Sequence, residues 1–405
     1  MDFSTHHHHH PTNSPSSSST SSSTPHPMTA GTTTNSGGDQ DPMQSWWESV
    51  SKARSRILSL SSIVSSTSSF CLSSLADSDR PALSLLSSPE AYSLLSTSLS
   101  SPSSGSGSDP LCHWLYDTYV SSDSHLRLIV LSFLPLVSSI YLSRVHSNDT
   151  SSIPSLAGFE AVILAIYTAE AKSRAGKALL VHIPDLSQPS LYHTPRHKAP
   201  IRDSKSAGIG ILSPPLEPQI AVKSTKRASI LGTAFECYYK HISHMPTWSK
   251  LEFCKSTAVW AGQDCYCQSK FDFDGIVDID DFVDKVGNLG IIEQNGKTDM
   301  EVKGVRIPLP WELSQPVLRI LGHCLLGPLN SQDVKDMASV AVKCLYARAS
   351  HDLIPQAIIG TRSLIQLDKR ERAAAKATAA AAANASSNAN TPSKAKKPEI
   401  LLVSK

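Results

Sequence analysis

The residues whose types and spacing come closest to chemistry are a run of carboxylates, Asp272, Asp274, Asp278, Asp280 and Asp281, with Gly275 among them. Clustered carboxylates on a turn are ligands for a hard cation such as calcium. The register of a calcium loop fails, however. With Gly275 at the sixth loop position, Lys270 falls at the first ligand position and Asp281 at the twelfth, where a bidentate Glu is needed. The segment is expected to be a solvated acidic loop. Cys265-Tyr266-Cys267 resembles half of a metal site, but no second Cys or Cys/His pair follows at a structural-zinc spacing. Cys237, His241 and His244 could share one helical face, and helical spacing alone does not make them ligands. The run from His6 to His10 reads as a polar tract or a tag. No catalytic residue, cofactor or metal site is expected.

An enzyme would need an activated nucleophile, an acid–base pair or a phosphate cradle. The chain carries no GxSxG, GxGxxG, Walker loop or His-Glu-x-x-His pattern. Its 37 Lys and Arg against 35 Asp and Glu give a formal net charge of +2, so there is no global nucleic-acid or membrane signal. The eight cysteines are thinly spread behind a start with no apolar signal-peptide core, which suggests reduced cytosolic thiols. The stretch Leu126 to Leu142 is strongly apolar, but it contains Arg127 and Pro135 and is shorter than a span of about 20 residues. It is expected to be a buried, kinked helix, and the sequon Asn148-Asp149-Thr150 then carries no secretory meaning.

The elements around these residues are mostly helical. Residues 1–45 are Ser, Thr, Pro, His and Gly, too polar to offset their ordering entropy, and read as a disordered tail. A transit peptide is the alternative for this Ser-rich start, although no Arg precedes Arg54. Weak helical patterning from Trp46 to Leu99 ends at a Ser/Gly/Pro linker over 100–108. Asp109-Pro110 then opens a helix with Leu111, Trp114, Leu115 and Tyr119 on one face. A second stripe, Phe159, Val162, Ile163 and Ile166, ends at Lys172, Arg174 and Gly176. Residues 179–227 read as an extended insert with a β-hairpin that begins at the strand-like Leu179 to Ile183. Helical patterning resumes at Ile230 and again over Leu251 to Trp260. Three last helices carry Val317, Leu318, Leu321 and Leu325; Val334, Met337, Ala341 and Leu345; and Ile358, Ile359, Ile365 and Leu367.

Several of these segments resemble the hyccin family, and they occur in that family's order over Pro110 to Leu367. They are Pro110-Leu111-Cys112-His113; Leu128 to Leu142 with Phe133-Leu134-Pro135; Gly158-Phe159-Glu160-Ala161; and Ile183 through His193, the most specific. Cys237-Tyr238-Tyr239 with Met245-Pro246, and Val317-Leu318-Arg319-Ile320-Leu321, complete the set. The resemblance implies a non-catalytic helical protein that binds a tetratricopeptide-repeat scaffold, with which it holds phosphatidylinositol 4-kinase type III alpha. A lipid-modified anchor protein would recruit that assembly to the cytosolic face of the plasma membrane. The Ser-rich start and the acidic insert near Asp272 look like a plant-type member. Within the family motif, Pro189 to His193 is read as structural, with Tyr192 and His193 pinning the insert to the core.

The expected fold is therefore mainly α, a multi-helix bundle or solenoid-like domain over 46–368 with a short β-hairpin insert and disordered N- and C-terminal tails. The C-terminal tail is placed at 369–405. Its Lys369, Arg370, Arg372, Lys394, Lys396 and Lys397 could touch anionic lipid but read better as a solvated tail. The partner-binding residues are unknown, and the helices from Val317 to Leu367 are the expected place for them. A calcium- or metal-responsive regulator using the 272–281 loop is the alternative function, and a lipid-handling enzyme is a third.

Overall fold

Proline and short polar caps set where most helices start. In the computed structural model, which describes residues 42–64, 72–121, 123–147, 155–183, 208–262 and 307–388, helix α1 spans Pro42–Ile63, a 3-10 turn Leu72–Asp77, α2 Pro81–Ser87 and α3 Pro89–Ser100. Next come α4 Pro110–Val120, α5 Ser124–Val145, α6 Ala157–Arg174, α7 Arg227–Lys240, a 3-10 turn Ile242–His244 and α8 Thr247–Gly262. The last three are α9 Trp311–Leu326, α10 Gln332–Asp352 and α11 Pro355–Asn388. Proline at the first helical position removes a donor that would go unpaired there anyway. Side chains of Ser88, Asp109 and Asp123 accept the backbone N–H groups of Ala91, Leu111 and Leu126, satisfying further orphan donors. The chain divides into two compact units, Met1–Ser45 and Trp46–Lys405, and all that follows concerns the second.

Helix α5 is the centre of that unit. It has the length and hydropathy to cross a membrane, yet fourteen of its residues, all between Leu126 and Leu142 inclusive, are buried in protein. Around it pack α2, α3, α4, α6, α7 and α8. Helix α9 lies on α7, α10 on α8, and α11 against both α9 and α10. The approach of α9 to α7 is close: a Cβ on Gly232 would sit 2.2 Å from the carbonyl oxygen of Glu312. Helix α1 joins the core through Val50, Ala53, Ile57 and Leu60, spaced three and four apart.

The β-hairpin follows α6. Strand β1 (Leu179–Ile183) pairs antiparallel with β2 (Gly208–Ser213) in the register Leu180↔Ile211, Val181↔Gly210, His182↔Ile209 and Ile183↔Gly208.

Three expectations change. The segment 100–108 is no linker: Ser104 and Gly105 are buried, and the chain turns tightly there between α3 and α4. Serine and glycine occupy it because the turn needs side-chain caps and a left-handed residue, Gly105 at φ 85°. At the other end, residues 369–388 continue α11 as helix instead of beginning a tail. Alanine has the highest helix propensity, and a helix already nucleated by packing propagates through it at little cost. The first turn of α1 starts at Pro42, a few residues before the expected domain boundary. His6 to His10, the sequon at 148–150, Pro189 to His193, Cys265 and Cys267, Asp272 to Asp281, and Lys394, Lys396 and Lys397 lie outside the described residues.

Candidate functional site

The ionisable side chains gather where α6, α7, α9 and the root of the hairpin meet. Glu170 and Arg174 sit one turn apart on α6, with Arg174 Nε 2.6 Å from Glu170 Oε1. Helix α7 supplies Glu236, 3.0 Å from Arg174 Nη2, and Lys240, whose ammonium also donates to Glu170. Helix α9 adds Arg319, 3.6 Å from Glu236 and 4.2 Å above the ring of Tyr239. Arg174 Nη1 donates to Ser213 Oγ at 2.9 Å, which ties the end of β2 to the same network.

Burial acts to raise the pKa of Glu170, but hydrogen bonds from Lys240 and Arg174 outweigh it and hold the carboxyl below its ordinary value. The neighbouring Cys237 thiol points at Glu170, and burial first, then that negative charge, push its pKa well up. Cys237 is thus a protonated thiol facing inward, while His241 and His244 are exposed. Among the described residues no group of three or more His, Cys, Asp or Glu is placed to hold a metal ion.

A second polar cluster lies at the corner between α3 and α4. Asp109 accepts from Leu111 N at 2.8 Å and from Gly105 N at 2.7 Å, and Cys112 donates to it. Arg144 of α5 spans the corner, donating to the carbonyls of Ser104 at 2.5 Å and Ser101 at 2.6 Å while stacking on Phe159. A cleft of about 460 Å³ opens beside it, lined by serines 98, 101, 103, 104, 106 and 108 together with Asp109. Asp109 is already engaged as a cap, so no acid–base pair faces that space.

The segments picked out by sequence prove to touch one another. Gly158 N donates to the carbonyl of Gly105 at 2.9 Å, which brings Gly158-Phe159 against the turn that precedes Pro110 to His113. Glu160 accepts from Tyr141 of α5 at 2.9 Å, and Arg227 donates to the same phenol oxygen at 3.0 Å. Tyr238 shares a hydrogen bond with Ser249, which in turn donates to the carbonyl of Ser132. Phe133, Trp248 and Tyr92 form a three-ring cluster in which each touches the other two, with Tyr92 donating to Glu252 at 2.8 Å. These contacts position helices. None pairs a nucleophile with a base.

The apolar stripes of α9 and α10 are core, with Val317, Leu321, Val334 and Ala341 each at most 1% exposed, whereas that of α11 is only partly covered. What those helices and their loops turn outward is Leu329, Leu353, Ile359 and Leu367. Hydrophobic spacing alone could not separate the two sets, since it reports that a face is covered without naming the neighbour. The sequence reading also missed the exposed apolar side chains of the hairpin, Leu180, Val181, Ile183, Ile209 and Ile211, between 41% and 69% exposed. Their signal was present in the sequence, where apolar residues fall at successive positions of β1 (Leu180, Val181) instead of on one face only. A family model described as Hyccin matches residues 76–400.

Proposed function

The chain belongs to the hyccin family, and from that premise we propose that it is a non-catalytic scaffold subunit of a phosphatidylinositol 4-kinase complex. In this reading it binds a tetratricopeptide-repeat partner and with it holds phosphatidylinositol 4-kinase type III alpha at the cytosolic face of the plasma membrane. A lipid-modified protein anchors the assembly, and phosphatidylinositol 4-phosphate synthesis depends on it. The family match over 76–400 carries the reading. The Ser-rich start and the acidic run near Asp272 fit a plant-type member.

The use to which the polar groups are put supports a structural part. Glu170, Arg174, Glu236, Asp109 and Arg144 join helices to one another, and apolar side chains such as Ile359 and Leu367 remain outside for a partner to cover. A scaffold of this kind contributes by mass action, stabilising its partner in the assembled state.

The test is affinity purification of the tagged full-length chain from its own cells, alongside a form lacking 389–405, with mass spectrometry of the co-purifying proteins. Recovery of a tetratricopeptide-repeat protein and a type III phosphatidylinositol 4-kinase with both forms is the expected result. Recovery of neither, under conditions that keep other membrane-associated complexes intact, sinks the assignment.

A further inference from the structure

The β1–β2 ribbon presents apolar side chains on both of its faces. In the observed register Leu180, Ile209 and Ile211 lie on one face with His182, and Val181 and Ile183 lie on the other, over Gly208 and Gly210. Leu180, Ile183, Ile209 and Ile211 are all more than half exposed. A two-stranded ribbon with no covered face is at best marginally stable in water. This one is held at a single end, where the pair Leu179↔Ser213 sits at the root and Ser213 is bonded to Arg174. At its far end the pair Ile183↔Gly208 is exposed.

The root of the ribbon is positive. Arg174, bonded to Ser213, joins Lys240 and Arg319 there against the two carboxylates of Glu170 and Glu236, and Lys177 lies two residues before β1. Both carboxylates are buried and engaged by Arg174, Lys240 and Arg319. Lys177 is exposed, and no ion pair engages it among the described residues.

We propose that this ribbon is a lipid-contacting element, which seats its apolar side chains in the interfacial layer of an anionic membrane while Lys177 meets the headgroups. Two features favour lipid over a protein partner. A partner lying on one face would leave the opposite face in water, whereas an interface surrounds both. The positive root matches an anionic surface and attracts it over a Debye length. The dimensions agree, since five residues of strand extend about 16 Å and interfacial elements enter by roughly 5–10 Å. At that depth water and headgroups still reach the free backbone edges, which hydrocarbon would not satisfy. The inference rests on the reading that the chain works beside a cytosolic membrane surface.

The experiment is flotation of the purified full-length chain with vesicles of phosphatidylcholine alone and of phosphatidylcholine with phosphatidylserine. The chain is expected to float with the phosphatidylserine vesicles. The I209S/I211S variant is expected to lose about tenfold in partitioning from its lost apolar contact. The K177A variant is expected to lose roughly fivefold at low salt, with a weaker salt dependence. All three residues are exposed, so an unchanged melting temperature establishes that each variant is folded. Wild-type chain that stays with the protein fraction, or an I209S/I211S chain that floats as the wild type does, overturns the proposal. Loss of co-purifying proteins by I209S/I211S, with no flotation of the wild type, identifies a protein-docking strand instead and overturns it too. Because no partner is in the assay, failed flotation leaves the complex assignment standing, and failed partner capture with retained flotation does the reverse.

Discussion

Arg348 of α10 donates from Nη2 to the carbonyl oxygen of Ile307 at 2.9 Å. The same guanidinium reaches the carbonyl of Trp260, near the end of α8, at 3.4 Å, and its Nε lies 2.6 Å from Asp352. One buried arginine thus ties the end of α8 to Ile307, the residue with which the described chain resumes after Gly262.

It follows that residues 263–306 can be replaced by a Gly/Ser linker of about six residues without loss of the fold, because the two stems are already held together and loop length changes closure entropy only slowly. The replaced chain is expected to melt within a few degrees of the wild type. Arg348→Ala, which takes the donor from two buried carbonyls and one ion-pair partner from Asp352, is expected to cost about 3 kcal/mol in denaturant unfolding. Equal stability of Arg348→Ala and wild type would remove the clamp from the account. The linker replacement also deletes Asp272 to Asp281, so unchanged melting behaviour with calcium in both proteins would dispose of a calcium-sensing role.

The second arginine clamp makes a pH prediction. Glu170 is buried, which acts to raise its pKa, yet hydrogen bonds from Lys240 and Arg174 hold it below the ordinary carboxylate value. A folded-state pKa below the unfolded one means that the ionised group adds stability, fully present above about pH 5 and lost as the pH falls through the folded value. Glu170→Gln is therefore expected to melt lower at pH 7 and to show a shallower fall below about pH 4.5. Parallel melting curves for the two proteins between pH 7 and acid would contradict this. Arg174→Met, which leaves buried Glu170 with Lys240 alone and buried Glu236 with Arg319 alone, is expected to cost roughly 3–5 kcal/mol.

How far these features were legible depends on how local their causes are. Asp109-Pro110 announced the start of α4 because a cap and an N1 proline act within one turn. The burial of Leu126 to Leu142 was readable from composition with Arg127 and Pro135 inside it. The packing of Gly105 on Phe159 was not readable, since the two are far apart in sequence and the serines around Gly105 look like any linker. Arg174 was recognised only as a favourable charge at the end of α6. Its four-element network depends on Glu236 and Ser213, which no spacing rule connects to it. The alanines after Arg372 were read as low complexity, although their propensity extends the preceding helix.

The corner between α3 and α4 yields a steric prediction. Gly105 has φ 85°, and a Cβ there would lie 2.3 Å from the Phe159 ring. Gly105→Ala is expected to lose about 2–4 kcal/mol through backbone strain and overpacking together. Phe159→Leu in the same chain should restore part of that loss by opening space, while costing stability when made alone. Additive losses in the double variant would show that the strain is in the backbone only.

The last helix divides at a definite residue. Asp368 is buried, accepts from Ser339 Oγ at 2.6 Å, and is 2.8 Å from Arg372 Nε, which also lets Arg372 reach Asp336 at 2.7 Å. Residues 373–381 are all exposed, so their helix is held by alanine propensity and by continuity with the packed turns before it. Ending the chain after Ala373 is expected to change unfolding free energy by less than about 0.5 kcal/mol. Ending it after Leu367 removes Asp368 and Arg372 together, leaves the buried Ser339 hydroxyl without its acceptor, and is expected to cost about 1–3 kcal/mol. Circular dichroism separates helix loss from core loss: the first truncation should lower helical signal with the melting temperature unchanged, and the second should lower both. A large drop in melting temperature on ending after Ala373 would mean that the alanine segment packs on the core, contrary to its exposure.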